Sequence, residues 1–130
     1  MEQLRKALEA KDPDAVEALL ADDVVFSSPA IFKPYAGRAA TMVFLRAAME
    51  TFENFRYLRS FTEEGGRGAV LMFTASVGGR ELEGADFVSF DEAGLVSEFR
   101  VMIRPMKGLI AVAEAMAPRV EGPLLALSPE

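Results

Sequence analysis

Apolar residues recur every three or four positions in the first half of the chain, a spacing that is typical of amphipathic helices. Leu4–Leu8 predicts one short helix, and Asp12 followed by Pro13 predicts the N-cap and first turn of a second. The segment of about Arg38–Phe52 predicts the longest helix, because its apolar members form one stripe. Between these helices, the β-branched and aromatic segment Val24–Ser27 predicts a short strand.

The second half of the chain has the pattern of strands. Four segments rich in β-branched and aromatic residues are separated by Gly-Gly or Asp-Glu-Ala-Gly sequences. These segments are about Phe55–Glu63, Gly68–Val77, Arg80–Asp91 and Leu95–Arg104. Tight turns between consecutive strands indicate an antiparallel meander, and helices collected before strands indicate the α+β class.

Proline marks both ends of a predicted final helix. Pro105 can occupy its first turn, Met106–Met116 supplies an apolar face, and Pro118 is expected to stop it. We therefore expect a single domain over residues 1–117 and a loosely attached C-terminal tail over residues 118–130.

Alternation along the last two predicted strands assigns their faces. One face carries Leu82, Gly84, Asp86, Val88 and Phe90, continued on the next strand by Phe99, Val101 and Ile103. This largely apolar face is expected to cover the helices. The opposite face carries Arg100, Met102 and Arg104 among other polar residues, a mixture that suits solvent or a partner subunit.

Asp86 is the one carboxylate on the apolar face. Burial among apolar neighbours disfavours the ionised form, so its pKa should be raised, and the neutral acid could donate a hydrogen bond to a ligand oxygen. The alternative is a structural role, in which Asp86 accepts backbone N–H bonds or pairs with an arginine. The sequence leaves both interpretations open.

Composition restricts the chemistry that the chain can perform. The 130 residues include neither histidine nor cysteine, which excludes the usual neutral-pH base, thiolate nucleophiles and cysteine metal sites. A net charge of −6 with scattered Lys and Arg residues argues against nucleic acid as a partner. The charged N-terminus and the lack of a long apolar run predict a cytoplasmic protein with no membrane partner.

Other residues could take part in chemistry, but their patterns are less specific. Tyr35 and Tyr57 could donate protons or hydrogen bonds to a ligand, although partly buried tyrosines more often pack their rings and leave their hydroxyls in water. Acidic clusters such as Asp22-Asp23 lack the spacing of calcium loops, so we predict neither a metal nor a cofactor. Ser28 has no histidine to activate it, so covalent catalysis is not expected.

The stretches Asp12–Val24 and Asp86–Val96 are similar to segments of ketosteroid isomerases. Together with the order of the elements, they resemble the nuclear transport factor 2-like superfamily, which includes those isomerases and the SnoaL-like polyketide cyclases. The resemblance implies a cystatin-like α+β barrel, in which a cone-shaped, curved antiparallel sheet packs on N-terminal helices around a deep pocket. It also implies a homodimer through the outer sheet face, which here presents Arg100, Met102 and Arg104.

Carried over by position, Asp86 matches the protonated aspartic acid that ketosteroid isomerases use in their oxyanion hole. The other active-site positions differ, because the general-base aspartate falls at Ser28, the oxyanion-hole tyrosine at Leu4 and a further pocket tyrosine at Leu45. Steroid isomerisation by that mechanism is therefore not expected. Cyclases of the SnoaL type commonly use a histidine, which this chain lacks.

The sequence supports two hypotheses. The first is a small-molecule pocket protein in which Asp86 holds the oxygen of a mainly apolar ligand, with or without cofactor-free isomerase, lyase or cyclase activity. The residues expected to line its pocket are Phe26, Phe73, Val88, Phe99, Val101 and Ile103. The second is a non-catalytic homodimerising domain whose pocket is filled by its own side chains.

Overall fold

Four helices and six strands follow one another in residues 1–127, the part of the chain that this computed structural model describes. The helices are α1 (Glu2–Glu9), α2 (Pro13–Ala18), α3 (Arg38–Thr51) and α4 (Met106–Leu127). The strands are β1 (Leu20–Ser27), β2 (Tyr35–Ala36), β3 (Glu53–Thr62), β4 (Gly68–Val77), β5 (Arg80–Phe90) and β6 (Val96–Arg104). None of the helices within these residues combines the length and the apolar composition needed to cross a lipid bilayer.

All six strands belong to one sheet in the order β2-β1-β6-β5-β4-β3. The four strands from β3 to β6 pair antiparallel, which confirms the predicted meander and the α+β class. The sequence predicts β1 only from Val24, whereas the strand begins at Leu20 and lies parallel to β6. Register irregularities in the β1–β6 and β3–β4 pairs bend the sheet, and its concave face covers the helices.

Local sequence explains where two of the helices begin. The Asp12 carboxylate accepts a hydrogen bond from the Ala15 amide over 3.2 Å, and Pro13 occupies the first turn of α2, as predicted. Helix α3 begins after Gly37, whose φ of 103° is accessible to glycine without a Cβ clash. The apolar stripe of α3 packs on β1 and α4, so this helix forms one wall of the interior.

The burial pattern of β4, β5 and β6 follows the predicted faces. Leu82, Asp86 and Val88 are buried against the helices, whereas Phe87 and Met102 are exposed on the opposite side of the sheet. Two clusters of buried apolar residues share the concave face, one around α1, α3 and β1 and the other around β4 and the first half of α4. The space between sheet and helices is therefore hydrophobic.

The predicted end of the last helix at Pro118 is wrong, because α4 continues through it. The proline removes one backbone hydrogen bond, which favours a break. Val120 beyond it is only 7% exposed and packs into the core, and the Arg119 guanidinium pairs with Glu50 of α3 at 3.3 Å. This packing compensates for the proline, so most of the predicted tail is helix, while residues 128–130 lie outside the described part of the chain.

Candidate functional site

A cavity of about 70 Å³ lies between the concave face of the sheet and the helices, with walls from both core clusters. Its walls are almost entirely apolar. The helices α3 and α4 contribute Phe44, Leu45, Ala48, Met49, Val112 and Met116. The aromatic residues of the sheet side are Phe26, Phe55, Tyr57, Phe73 and Phe99. The charged side chains in the described lining are Asp86 and Lys11.

Asp86 reaches the cavity because it occupies an inward-facing position in the middle of β5. Its neighbours across the sheet are Leu71 on β4 and Val101 on β6, so the adjacent strands offer no side-chain charge to balance it. The residue is 5% exposed. Because this carboxyl is surrounded by apolar side chains rather than by water, its neutral form is favoured.

Tyr57 provides the hydrogen bond that Asp86 makes. The tyrosine hydroxyl donates to Asp86 Oδ2 over 2.6 Å. The tyrosine ring packs edge-on against Phe55 and Phe73, and its backbone N–H donates to the Glu9 carboxylate of α1 over 3.1 Å. Strand β3 and helix α1 together therefore fix the position of the hydroxyl.

The two polar groups change each other's proton affinity. Burial raises the pKa of the Asp86 carboxyl from its ordinary 3.8 to about 7, and the hydrogen bond from Tyr57 opposes that rise. Burial first, and then the adjacent Asp86, raise the pKa of the Tyr57 hydroxyl well above its ordinary range. Near neutral pH the tyrosine is thus protonated, whereas Asp86 is present both as the acid and as the carboxylate.

The two kinds of partner that the sequence suggests for a structural role of Asp86, backbone N–H groups and an arginine, do not bind its carboxyl within residues 1–127. Within this range, the carboxyl has neither a backbone N–H donor nor an arginine, and Tyr57 is its hydrogen-bonding partner. The second oxygen, Oδ1, has no protein donor there. The carboxyl consequently retains hydrogen-bonding capacity at the cavity wall, where a ligand oxygen could use it.

Most of the predicted site residues come together at this cavity. Its lining includes the predicted residues Phe26, Phe73, Phe99, Val101, Ile103, Asp86 and Tyr57. Val88 does not line it, because the side chain is buried in the neighbouring core cluster, two residues along β5 from Asp86. Tyr35 also lies elsewhere, with its ring 4.8 Å from that of Phe44, and β2 gives it no access to the cavity.

The lining residues of α3 and α4 lie outside the predicted set. Leu45 and Met49 belong to the apolar stripe that predicts α3, so the sequence does contain a signal for this wall. Periodicity alone does not separate stripe residues beside a cavity from those that fill the core. Lys11 has no sequence signal of this kind, since its position depends on the turn after α1.

The described lining contains no carboxylate besides Asp86. Ser28 does not belong to the lining, and its hydroxyl accepts backbone hydrogen bonds from Ala30 and Ile31 over 3.0 and 3.1 Å. Leu4 is buried in the core, and Leu45 adds only apolar surface to the cavity. Within residues 1–127, no three acidic side chains come close enough together to hold a metal ion.

Comparison with known proteins relates this arrangement to a family. The SnoaL-like domain family matches residues 1–99. A steroid delta-isomerase from Pseudomonas aeruginosa is 39% identical, with a TM-score of 0.88 over 95% of this chain and 90% of that chain. An uncharacterized bacterial protein with a cystatin-like fold from Silicibacter pomeroyi is 31% identical, with a TM-score of 0.89 over 96% and 89% of the two chains. No curated protein matches the sequence.

More distant structures share the fold alone. An NTF2-like protein of unknown function from Mesorhizobium loti is 18% identical, with a TM-score of 0.70 over 81% of this chain and 88% of that chain. The resemblance inferred from Asp12–Val24 and Asp86–Val96 is confirmed at the level of the fold.

Proposed function

Because the chain belongs to the SnoaL-like domain family and shares its fold with ketosteroid isomerases, we propose that it is a small-molecule pocket protein that binds a mainly apolar ligand through one oxygen atom. The observation that carries this proposal is the Tyr57–Asp86 hydrogen bond of 2.6 Å in an otherwise apolar wall. An apolar cavity with a few converging polar groups is the usual form of a small-molecule site. The neutral Asp86 carboxyl donates to the ligand oxygen, while Tyr57 orients the carboxyl.

The size of the cavity limits the ligand. Its volume of about 70 Å³ is well below the 300–1,000 Å³ that is typical of sites for drug-sized molecules. A ligand of one small ring fits this scale better than a steroid. Larger ligands require the flexible side chains of Met49 and Met116 to change rotamer.

The chemistry that the pair favours is proton transfer without a cofactor, as in an isomerase, lyase or cyclase. A carboxyl whose pKa is about 7 can give and take a proton near neutral pH, so Asp86 acts as the acid and Tyr57 assists by holding the carboxyl in place through its hydrogen bond. The relative from Pseudomonas aeruginosa is named a steroid delta-isomerase. Since Ser28 stands here at the general-base position, we do not extend that reaction to this chain.

Replacing Asp86 with leucine is expected to reduce the preference of the cavity for oxygen-bearing ligands. The wild type should bind cyclohexenone and phenol up to about tenfold more tightly than cyclohexene and benzene, because a buried hydrogen bond to a neutral acid contributes up to about 1.5 kcal/mol. In Asp86→Leu the difference should shrink to what the freed Tyr57 hydroxyl can supply, and it should vanish when that hydroxyl is removed as well. Thermal shift at increasing ligand concentration provides the dissociation constants.

The control for this experiment is the double variant Tyr57→Phe/Asp86→Leu. Asp86→Leu alone leaves the Tyr57 hydroxyl buried without a partner, whereas the double variant removes both members of the hydrogen bond and should recover stability. Loss of oxygen preference in a folded double variant supports the proposal. Equal affinities for oxygenated and hydrocarbon ligands in the wild type would contradict it.

A second candidate function is homodimerisation through the outer face of the sheet. Three large apolar side chains are exposed there: Phe61 on β3, Phe87 on β5 and Met102 on β6, which are 49%, 39% and 52% exposed. They lie beside Arg100, and apolar patches with a polar rim are typical of interfaces. This role requires no ligand and agrees with a small cavity.

The dimer hypothesis predicts that Met102→Glu converts a dimer into a monomer, because it places a charge in the buried centre of the interface. Sedimentation equilibrium measures the mass directly. Met106→Glu is the matched control, since Met106 is 74% exposed and lies on α4 rather than on the sheet. A monomeric wild type, or dissociation of both variants alike, would count against this interface.

A further inference from the structure

Lys11 adopts a backbone conformation that few lysines have. It follows the end of α1 with φ of 55°, in the left-handed region. Its N–H donates to the Leu8 carbonyl and the N–H of Asp12 donates to the Ala7 carbonyl, each over 3.1 Å. These two bonds form a Schellman motif, whose left-handed position is usually occupied by glycine because a Cβ is strained there. The chain thus tolerates strain to carry a side chain at this point.

The Lys11 side chain lies at the edge of the cavity. The residue is exposed to solvent but also belongs to the cavity lining, and its ammonium donates to the Phe52 carbonyl, at the end of α3, over 2.7 Å. This bond uses one of three N–H donors and leaves two. Within residues 1–127, no carboxylate lies within 4.0 Å of the ammonium, although Asp86 faces the same cavity.

We propose that Lys11 binds the carboxylate of the ligand, so that the protein takes small apolar carboxylic acids with a second oxygen that reaches Asp86 and Tyr57. This inference rests on the proposed function and adds the chemical class of the ligand, namely oxo acids and hydroxy acids. Because Lys11 is exposed, its charge-assisted hydrogen bond to the carboxylate forms where the cavity meets solvent, and the apolar part of the ligand lies deeper, toward Asp86. A single ammonium with two remaining donors suits a carboxylate better than a phosphate dianion, which usually requires several donors.

The bond to the Phe52 carbonyl also gives Lys11 a structural effect. Cations near the last carbonyls of a helix stabilise its C-terminus, so Lys11 ties the turn after α1 to the end of α3. A purely structural role would alter the melting temperature of the free protein. It would not make the protein distinguish a carboxylate from its neutral ester.

The test compares each acid with its own methyl ester. The probes are levulinate and para-hydroxyphenylacetate, and isothermal titration calorimetry measures their dissociation constants. The wild type should bind each acid about tenfold more tightly than its ester. Lys11→Met should weaken the acids by about that factor and leave the esters unchanged, whereas Lys11→Arg should retain the preference.

Lys6→Met is the matched control, because it removes the same charge from an exposed position of α1 that does not line the cavity. It should leave all affinities unchanged. If the acids and esters bind the wild type equally, the role of Lys11 is wrong while the pocket function stands. If none of the four compounds binds the wild type, the proposed function is contradicted and this inference falls with it.

Discussion

Replacing Asp86 with asparagine is expected to remove about 4 kcal/mol of pH dependence from the free energy of unfolding. In the wild type, burial raises the pKa of the folded carboxyl from the ordinary 3.8 to about 7. The proton is therefore bound more tightly by the folded chain than by the unfolded chain. The stabilisation that it provides is complete below the unfolded pKa, declines as the pH rises and is lost above the folded pKa. Asparagine does not titrate, so this decline should be missing.

Because of the sign of this effect, the wild type should be the more stable protein at low pH and Asp86→Asn the more stable one at high pH. At about pH 4 the neutral acid of the wild type fits its site, whereas the asparagine amide adds N–H groups without known acceptors and costs about 1–3 kcal/mol. At about pH 8 the wild type must bury an ionised carboxylate, and the variant should then be the more stable protein. A change of this size is a large part of the stability of a domain, and it should shift the melting temperature by about 15 °C.

Urea unfolding of both proteins between about pH 4 and pH 8 provides the measurement. Asp23→Asn is the matched control, because it makes the same chemical change at an exposed position of β1. Subtracting the free energy of unfolding of each variant from that of the wild type removes the contribution of all other titrating groups. Parallel pH profiles for wild type and Asp86→Asn, or a lower melting temperature of the variant at about pH 8, would contradict the buried neutral acid.

The inward position of Asp86 on the apolar face of β5 could be predicted from the sequence, because side chains alternate strictly between the two faces of a strand. Leu82, Asp86 and Val88 lie an even number of positions apart on β5 and therefore share one face, and a single shift in register would expose all of them. The same reasoning placed most of the cavity wall on the sheet side. The bounds of β4 could also be predicted, because glycine pairs mark the turns before and after it. The strand is observed over Gly68–Val77, the predicted range.

What could not be predicted depends on contacts between distant parts of the chain. Tyr57 meets Asp86 across β4, and the β3–β4 register shifts next to Tyr57, which no local pattern reveals. The continuation of α4 through Pro118 depends on the burial of Val120, a tertiary effect that overrides the local preference of proline. The left-handed turn at Lys11 likewise contradicts the usual choice of glycine.

Replacing Gly84 with alanine is expected to destabilise the protein by about 3 kcal/mol. A Cβ at this position of β5 would lie 2.5 Å from the Met102 carbonyl oxygen and 2.6 Å from the Phe73 ring. The carbonyl belongs to the paired strand β6, so relief there would open the sheet. Phe73 is fully buried and packs against Phe52, Phe55 and Tyr57, which leaves its ring little freedom to turn away.

Gly68→Ala serves as the control in the neighbouring strand, because its Cβ would meet only the flexible Glu63 side chain, 3.1 Å away. Urea unfolding should give a much smaller loss for this variant. A loss below about 1 kcal/mol for Gly84→Ala would show instead that both the Met102 carbonyl and the Phe73 ring give way, with the ring shifting toward the cavity that it lines. In that case cyclohexenone should bind more weakly to Gly84→Ala than to the wild type, because the displaced ring occupies the volume that the ligand needs.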